Sequence, residues 1–216
     1  MFQYALPLYE KQFGSEHTKT VNVLRELGGV YADLGKRADA KRMFMRALDG
    51  SDTGERLKIT LIPFLHLGWD FSRNGELDEA MEIVRRAMEA ARGNTLDATY
   101  TTALELCSGI GVEYLNAGNP AEAEKCFNLA LKEFTKKLGP EHRDTLIQMG
   151  YLGSVYSQQG RLEESEKIYR RAVQGMAEVF NQDDAFMIDT KRRLENVRNR
   201  LGCSGGSGGY RRTIPD

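Results

Sequence analysis

The sequence is poor in the residues on which active-site and metal chemistry usually depend. Its 216 residues include three cysteines, three histidines and one tryptophan. The cysteines (Cys107, Cys126 and Cys203) cannot form a framework of disulfide pairs, so we expect reduced thiols in a cytoplasmic protein. The histidines are scattered, and no Cys/His pair has the spacing of metal ligands. The composition therefore predicts neither a metal site nor a disulfide scaffold.

An excess of one charge and a long apolar run are also missing. Thirty basic against thirty-one acidic residues give a net charge of −1, whereas nucleic-acid binders usually carry a basic excess that neutralises phosphates. The longest nearly apolar stretch, LIPFLHLGW at 61–69, is much shorter than the roughly 20 residues that span a bilayer. We therefore expect neither a nucleic-acid partner nor a membrane partner.

No group of residues forms a catalytic or cofactor-binding motif. The Gly-Lys pair in DLGKRADAK (33–41) lacks the earlier glycine of a phosphate loop, and SGGSGG (204–209) lacks the strand and helix of a dinucleotide turn. Cys107 and Cys126 lie among apolar residues and are predicted to be buried structural thiols. We therefore predict a protein that is not an enzyme and has no cofactor.

What the sequence does contain is an internal repeat. FGSEHTKTV at 13–21 and LGPEHRDTL at 138–146 are variants of one phrase. Between and after them, further glycines recur at spacings of 40, 43 and 42 residues, namely Gly35, Gly75, Gly118 and Gly160. Equal spacing indicates that the phrase belongs to a repeat of about 42 residues, because a chance echo would leave the interval unrelated to either copy.

The same residue types recur at the same offsets around these four glycines. A small residue and an aromatic precede each glycine, and a small, a large apolar and a second small residue follow it. These columns are Gly28, Gly68, Gly111 and Gly153; Tyr31, Phe71, Tyr114 and Tyr156; Ala40, Ala80, Ala123 and Ser165; Phe44, Val84, Phe127 and Tyr169; and Ala47, Ala87, Ala130 and Ala172. Their helical spacing predicts two closely packed antiparallel helices per repeat, which must stack on neighbours to bury their apolar faces.

On these columns the chain resembles the tetratricopeptide repeat (TPR) family. The turn phrase G-P-E-H-x-D-T is similar to that of long repeats of the kinesin-light-chain type, which also occur in fungal and bacterial multidomain receptors. The resemblance implies an all-α, right-handed superhelix, an α-solenoid of antiparallel helical hairpins closed by a C-terminal capping helix. It also implies that ligand peptides lie in a concave groove lined by the first helix of each hairpin.

The repeat pattern also predicts the limits of the segments. They are a partial repeat at 1–13, four hairpins at 14–50, 57–92, 97–137 and 142–180, a capping helix at 185–201, and a Gly/Ser linker with a peptide tail at 202–216. We expect the half-repeat at the start to be either a cut from a longer array or an N-terminal cap. The predicted core comprises Leu27, Tyr31, Phe44, Leu67, Phe71, Tyr114, Phe127, Leu152, Tyr156 and Tyr169.

Several turn residues carry specific predictions. His17 and His142 occupy equivalent places and are expected to cap or turn the chain. Asn119 is expected to cap its helix through its side chain, with Pro120 at the first helical position. Pro63 is expected in the first turn of its helix, where a missing N–H costs little.

The predicted groove residues lie one helical step away from the core stripe of the first helices. They are Arg25, Leu65, His66, Trp69, Arg73, Val112, Leu115, Asn116, Tyr151 and Gln158. An exposed apolar strip of this kind usually marks a binding surface. The alternative is that Trp69 and Tyr151 only pack between repeats.

The leading functional prediction is a module that binds a peptide or partner segment in this groove. A regulatory or sensor array from a larger nucleotide-switch receptor is one alternative, and a motor-cargo adaptor is another. The cargo role is disfavoured because Arg25-Glu26 and Leu65-His66 stand where kinesin light chains carry an Asn pair. The tail at 210–216 is a further candidate ligand, bound either by its own chain or by a second copy.

Overall fold

The computed structural model describes residues 2–50, 55–91 and 97–205, and every regular element in these ranges is an α-helix. The all-α prediction is therefore confirmed. The helices are α1 (Phe2–Phe13), α2 (Thr18–Asp33), α3 (Arg37–Asp49), α4 (Glu55–Arg73), α5 (Leu77–Ala91), α6 (Asp97–Asn116), α7 (Pro120–Leu138), α8 (Arg143–Gln158), α9 (Leu162–Val179) and α10 (Ala185–Gly205). The capping helix predicted at 185–201 corresponds to α10, which ends at Gly205. The tail at 210–216 lies outside the described residues.

The chain forms two compact units, Met1–Glu113 (unit 1) and Tyr114–Asp216 (unit 2), and their boundary falls inside α6. Within unit 1, α2 packs on α1 and α3, and α4 packs on α3 and α5. Within unit 2, α8 packs on α7 and α9, and α10 packs on α9 and contacts α8. Each unit thus contains helices that pack in chain order, as expected for stacked hairpins.

The turn glycines have the backbone conformation that makes glycine necessary. All six have φ between +70° and +93°, and no other described residue type has a positive φ. They are Gly35, Gly75, Gly118 and Gly160 within hairpins, and Gly14 and Gly139 between them. Since side chains other than glycine rarely adopt this conformation, the spacing seen in the sequence reflects backbone geometry.

The two copies of the repeated phrase fold in the same way. His17 Nδ1 accepts a hydrogen bond from the backbone N–H of Lys19, and His142 Nδ1 accepts one from Asp144, both at 3.2 Å. These bonds confirm both histidines as N-caps of α2 and α8. Asn119 directly precedes α7, but its side chain makes no capping hydrogen bond, so the prediction for Asn119 is wrong. Pro120 is the first residue of α7, as predicted.

Pro63 also lies elsewhere than predicted. Since α4 begins at Glu55, Pro63 is in the third turn and not the first. Its ring removes the N–H that would bond to the carbonyl of Ile59. Ile59 is exposed, and water can therefore satisfy that carbonyl.

The small columns lie where two helices approach most closely. A Cβ atom at Gly28 would lie 2.8 Å from the Phe44 ring, and one at Gly153 would lie 2.5 Å from the Tyr169 ring. The Ser165 hydroxyl also donates to the Gly153 carbonyl at 2.7 Å. Only a hydrogen atom fits at these two glycines without a shift of the neighbouring ring.

Most of the predicted core is buried, but two of its aromatics are not. Tyr31 and Tyr156 are only half-buried. The Arg161 guanidinium lies 4.1 Å above the Tyr156 ring, so a charged group and not an apolar one covers that side chain. Tyr31 packs against the edge of the unit 1 core without entering it.

Ion pairs join successive second helices in each unit. In unit 1, Lys41 of α3 binds both Glu79 and Glu82 of α5. In unit 2, Glu124 of α7 pairs with Arg161, which precedes α9, at 3.1 Å. In these pairs the earlier helix supplies the basic residue in unit 1 and the acidic residue in unit 2, so the two units carry them with opposite polarity.

Candidate functional site

One stripe of α4 combines apolar side chains with exposure. It consists of Ile59, Ile62, His66, Trp69 and Arg73, which recur every three or four residues and are called the α4 stripe below. The two isoleucines are each 43% exposed, His66 and Arg73 are exposed, and Trp69 is half-buried. Sequence reasoning places Ile62, His66, Trp69 and Arg73 in the groove but misses Ile59, although the helical spacing includes it.

Trp69 packs against the next first helix and still keeps an accessible part. A Cβ atom at Gly109 of α6 would lie 2.6 Å from the Cη2 and Cζ3 atoms of the indole ring. The ring therefore lies on bare backbone at Gly109, which places α4 close to α6. The residue equivalent to Trp69 in the first hairpin is Gly29, where an added Cβ would meet nothing within 4 Å. The surface beside α2 is thus open at Gly29.

Arg25 of α2 is partly buried and incompletely bonded. Its Nη2 atom lies 2.6 Å from Glu26 Oε1, whereas its Nε–H is buried and has no hydrogen-bond partner. A buried donor without a partner is costly, and a ligand acceptor or a water molecule would relieve that cost. Arg25 thus retains hydrogen-bonding capacity.

Leu65 is not part of an exposed surface. It has no exposed area, so its predicted contact with a ligand is corrected to a core role. The reason is that α4 contacts both α2 and α3, in addition to its own partner α5. Only a narrow strip of such a helix stays accessible, and Leu65 lies beside that strip.

The remaining predicted groove residues lie on α6 and α8. Val112 is half-buried at the end of unit 1. Leu115 is half-buried and Asn116 is exposed, and both belong to unit 2. Gln158 is exposed at the last position of α8.

Tyr151 lies within an aromatic cluster of unit 2. Its ring stacks on Phe127 with centroids 4.9 Å apart, and it meets Phe186 edge-on at 5.2 Å. Burial raises the pKa of the Tyr151 hydroxyl, while the Arg193 guanidinium acts in the opposite direction. Tyr151 therefore packs between helices, and its ring faces have little area left for a ligand.

A polar cluster lies on the α8 and α10 side of unit 2. The Ser154 and Tyr169 hydroxyls are hydrogen-bonded at 2.8 Å, and Arg193 Nη1 donates to Ser154 Oγ at 3.4 Å. Burial raises the pKa of Tyr169, so this hydroxyl stays protonated at neutral pH. Sequence reasoning placed Ser154 in the groove and Arg193 near its end, but it did not predict that they contact each other, because α10 lacks the repeat columns.

A cavity of about 770 Å³ opens beside α3 of unit 1, away from the α4 stripe. Much of its charged lining is paired within the protein. Arg37 donates to Glu76, with Nε 3.1 Å from Oε1, and Lys41 binds Glu79. Lys36 also lines this cavity.

The described ranges contain no cluster of His, Cys, Asp or Glu that could hold a metal ion. In the same ranges, no helix is both long and apolar enough to cross a membrane. Cys107 and Cys126 are free thiols and both are buried, as predicted. Burial separates these thiols from any surface reaction.

Comparisons with known proteins agree with the repeat pattern. Residues 100–178 match the family model described as "Tetratricopeptide repeat". The chain is 22% identical, over 246 aligned residues, to the "Protein KINESIN LIGHT CHAIN-RELATED 2" of Arabidopsis thaliana. That alignment covers 93% of this chain but 37% of the plant protein, so the chain spans little more than a third of its length.

A solved structure gives the same result for the fold. The crystal structure of BtubC (BKLC) from P. vanneervenii superposes with a TM-score of 0.56 at 16% identity, covering 100% of this chain and 92% of that one. The predicted fold class, a solenoid of helical hairpins, is confirmed, and so is the resemblance to kinesin-light-chain-like repeats.

Proposed function

Because residues 100–178 match the tetratricopeptide repeat family and the chain is similar to a kinesin-light-chain-related protein, we propose that it binds a peptide segment of a protein partner on the first helices of unit 1. The repeat family supplies non-enzymatic scaffolds for protein–protein interaction. The observation that carries the narrower proposal is the α4 stripe, whose apolar side chains stay exposed. Monomeric proteins seldom expose such stripes without a partner.

The neighbouring helices support this placement. Equivalent residues of successive repeats lie side by side, so Gly29, Trp69 and Val112 form one row across α2, α4 and α6. The row is open at Gly29 and aromatic at Trp69. An extended segment that crosses this row would bury the isoleucines and the free edge of the indole. The Arg25 side chain on α2 is 27% exposed, and its guanidinium group would donate to a backbone carbonyl of that segment.

The test is a selection of peptides from a random phage-displayed library on the intact chain, followed by affinity measurements on variants. Trp69→Ala is expected to weaken binding by about 2 kcal/mol or more, as for a buried aromatic anchor. Ile62→Asp is expected to weaken it similarly through an exposed residue, so this variant keeps the fold. Arg85→Asp, on the exposed side of α5, is the matched control and should bind like the wild type.

Two results would contradict the proposal. One is unchanged affinity of folded Ile62→Asp protein for the selected peptides, and the other is a loss of binding in Arg85→Asp as large as in the stripe variants. Circular dichroism of each variant separates a loss of binding from a loss of helix. If Trp69→Ala unfolds, then Trp69 is required for packing, and the peptide affinity of Ile62→Asp alone tests the proposal.

Two narrower roles fall within this proposal. The name of the plant relative refers to kinesin light chain, which favours a motor-cargo adaptor, although the expected Asn pairs are absent. A sensor array within a larger receptor is the other, and it also needs a protein-binding face. The tail at 210–216 is itself a candidate ligand for the stripe. A variant that ends at Gly205 should bind the selected peptides more tightly if the tail competes for the stripe.

A further inference from the structure

The cavity of about 770 Å³ beside α3 has the size of a binding site for a small molecule. Its wall runs from the turn before α3 along that helix, and Phe71, Glu76 and Glu79 of the second hairpin complete it. Sites for small molecules usually occupy clefts of roughly 300–1,000 Å³. The cavity therefore lies between two hairpins on the side of their second helices, away from the α4 stripe.

The turn of the second hairpin leaves this space open. In unit 2, Gln159 and Arg161 flank the turn glycine, and both bind Glu124 of the preceding second helix, at 2.8 and 3.1 Å. The residues at these two positions in the second hairpin are Asn74 and Glu76. The Asn74 amide donates to a carbonyl of its own helix, α4, at 2.7 Å. Long side chains thus occupy in unit 2 a place that stays open in unit 1.

One positive charge of the cavity has no partner. The other basic residues of the lining each pair with a carboxylate. These pairs are Arg37–Glu76, Lys41–Glu79, Lys41–Glu82, Arg42–Asp39 and Arg46–Glu10. Lys36, which directly precedes α3, is exposed and makes no ion pair within the described ranges. The Lys36 ammonium group is therefore available to an anion from solution.

Apolar side chains form a second part of the lining. Met45 is half-buried on α3, and Phe71 of α4 lies in the wall beside it. Met45 follows Lys36 by nine residues, which is about 13.5 Å along the helix axis. The residues equivalent to Met45 in the other hairpins are polar, namely Arg85, Asn128 and Arg170. The apolar wall is therefore a property of the first hairpin and not of the repeat.

From this geometry we propose that the cavity beside α3 binds a small organic acid, with its anionic group at Lys36 and its apolar body on Met45 and Phe71. The ammonium group donates a charge-assisted hydrogen bond to the anion, and the apolar body leaves water on binding. Since one positive charge is unpaired, a monoanion fits better than a polyanion. This inference goes beyond the proposed function, because it concerns another class of ligand and other helices.

The experiment is a fluorescence titration of the full chain with 8-anilinonaphthalene-1-sulfonate, a monoanion with an apolar ring system. The control ligand, N-phenyl-1-naphthylamine, has the same rings without the sulfonate. Lys36→Gln should weaken binding of the sulfonate about ten-fold, because it removes a hydrogen bond to a charged group. The same variant should bind the uncharged ligand within about two-fold of the wild type.

Three further variants separate the cavity from other surfaces. Met45→Asn, which copies the third repeat, should weaken both ligands about five-fold through lost apolar contact. Lys132→Gln removes an exposed lysine from α7 of unit 2 and should bind both ligands within about two-fold of the wild type. Ile62→Asp changes the α4 stripe and should bind the sulfonate like the wild type.

Four outcomes would overturn the inference. They are no saturable binding of the sulfonate, equal affinity of the wild type for the two ligands, an equal loss in Lys36→Gln and Lys132→Gln, and a larger loss in Ile62→Asp than in Lys36→Gln. The last outcome would place the sulfonate on the α4 stripe. The peptide selection stands in each case, because it uses other ligands and its variants lie outside the cavity.

Discussion

The α4 stripe of unit 1 and the surface that α8 and α10 form in unit 2 differ sharply in chemistry, although α4 and α8 are equivalent first helices of two repeats. The α4 stripe exposes isoleucine and tryptophan, whereas α8 presents Ser154, Ser157 and Gln158 beside two arginines of α10. Beneath these surfaces the hairpin columns are alike. The small and large columns thus set the fold, and the first-helix surface is free to acquire different partners.

The ion pairs between second helices make the same point. The column six residues after the turn glycine contains Lys41 in unit 1, and Glu124 and Glu166 in unit 2. Lys41 pairs with Glu79 of α5, Glu124 pairs with Arg161, which precedes α9, and Glu166 pairs with Arg198 of α10. Repeats can therefore stack with either polarity, provided that neighbours carry complementary charges.

The largest expected change in stability comes from substitutions at two glycines in close helix–helix contact, one in each unit. In Gly153→Ala the new methyl would lie 2.5 Å from the Tyr169 ring, which the bond to Ser154 holds in place. We expect this variant to lower the free energy of unfolding by about 2–3 kcal/mol. In Gly68→Ala the nearest atom is the mobile end of Leu106, so we expect a smaller loss of about 1–2 kcal/mol.

Urea unfolding followed by circular dichroism measures both variants. Gly29→Ala is the control, because an added Cβ there meets nothing within 4 Å. It should be neutral or stabilising by up to about 1 kcal/mol, as expected from helix propensity. A Gly68→Ala variant that is less stable than Gly153→Ala would reverse the order and show that Leu106 cannot move.

These glycines also show why the fold was predictable from the sequence. A close approach of two helices excludes every side chain, so Gly28 and Gly153 recur at fixed offsets and reveal the hairpin. Leu65 was misplaced because burial depends on how many helices surround α4, and a helical stripe does not contain that information. On the side of unit 2 formed by α8 and α10, Gln158 was placed in the groove from the sequence. The hydrogen bond from Arg200 to Ser157 was not predicted, because it arises from tertiary packing between residues 43 apart.

The second prediction tests whether the polarity of the ion pairs matters. Burial lowers the pKa of Lys41, but the hydrogen bonds that its ammonium group donates to Glu79 and Glu82 outweigh this influence and raise the pKa. The stabilisation is therefore fully present at neutral pH and is lost only as the pH rises through the folded-state pKa. Lys41→Met, which copies Met81 of the next repeat, should cost about 0.5–1 kcal/mol, less at high salt.

A triple exchange sharpens this test. Lys41→Glu alone places three carboxylates together and should be less stable than Lys41→Met. Adding Glu79→Lys and Glu82→Lys gives unit 1 the polarity of unit 2, and thermal unfolding should return to within about 0.5 kcal/mol of the wild type. If the triple variant stays as unstable as Lys41→Glu, then the backbone of unit 1 requires the original polarity.

The smallest expected effect separates the two histidine caps. His17 and His142 make the same capping bond, and replacement by Ala should cost each unit about 1 kcal/mol. Asn is an equally good N-cap, so His142→Asn should restore the stability lost in His142→Ala.

At position 17 the ring has a second role, because it stacks on Phe13 with centroids 4.9 Å apart. His17→Asn should therefore recover the cap but still lose about 0.5–1.5 kcal/mol of ring stacking. Thermal unfolding of the four variants measures these differences, and His17→Phe, which keeps a ring and loses the cap, is the control. Full recovery in His17→Asn would mean that the contact with Phe13 adds nothing beyond the cap.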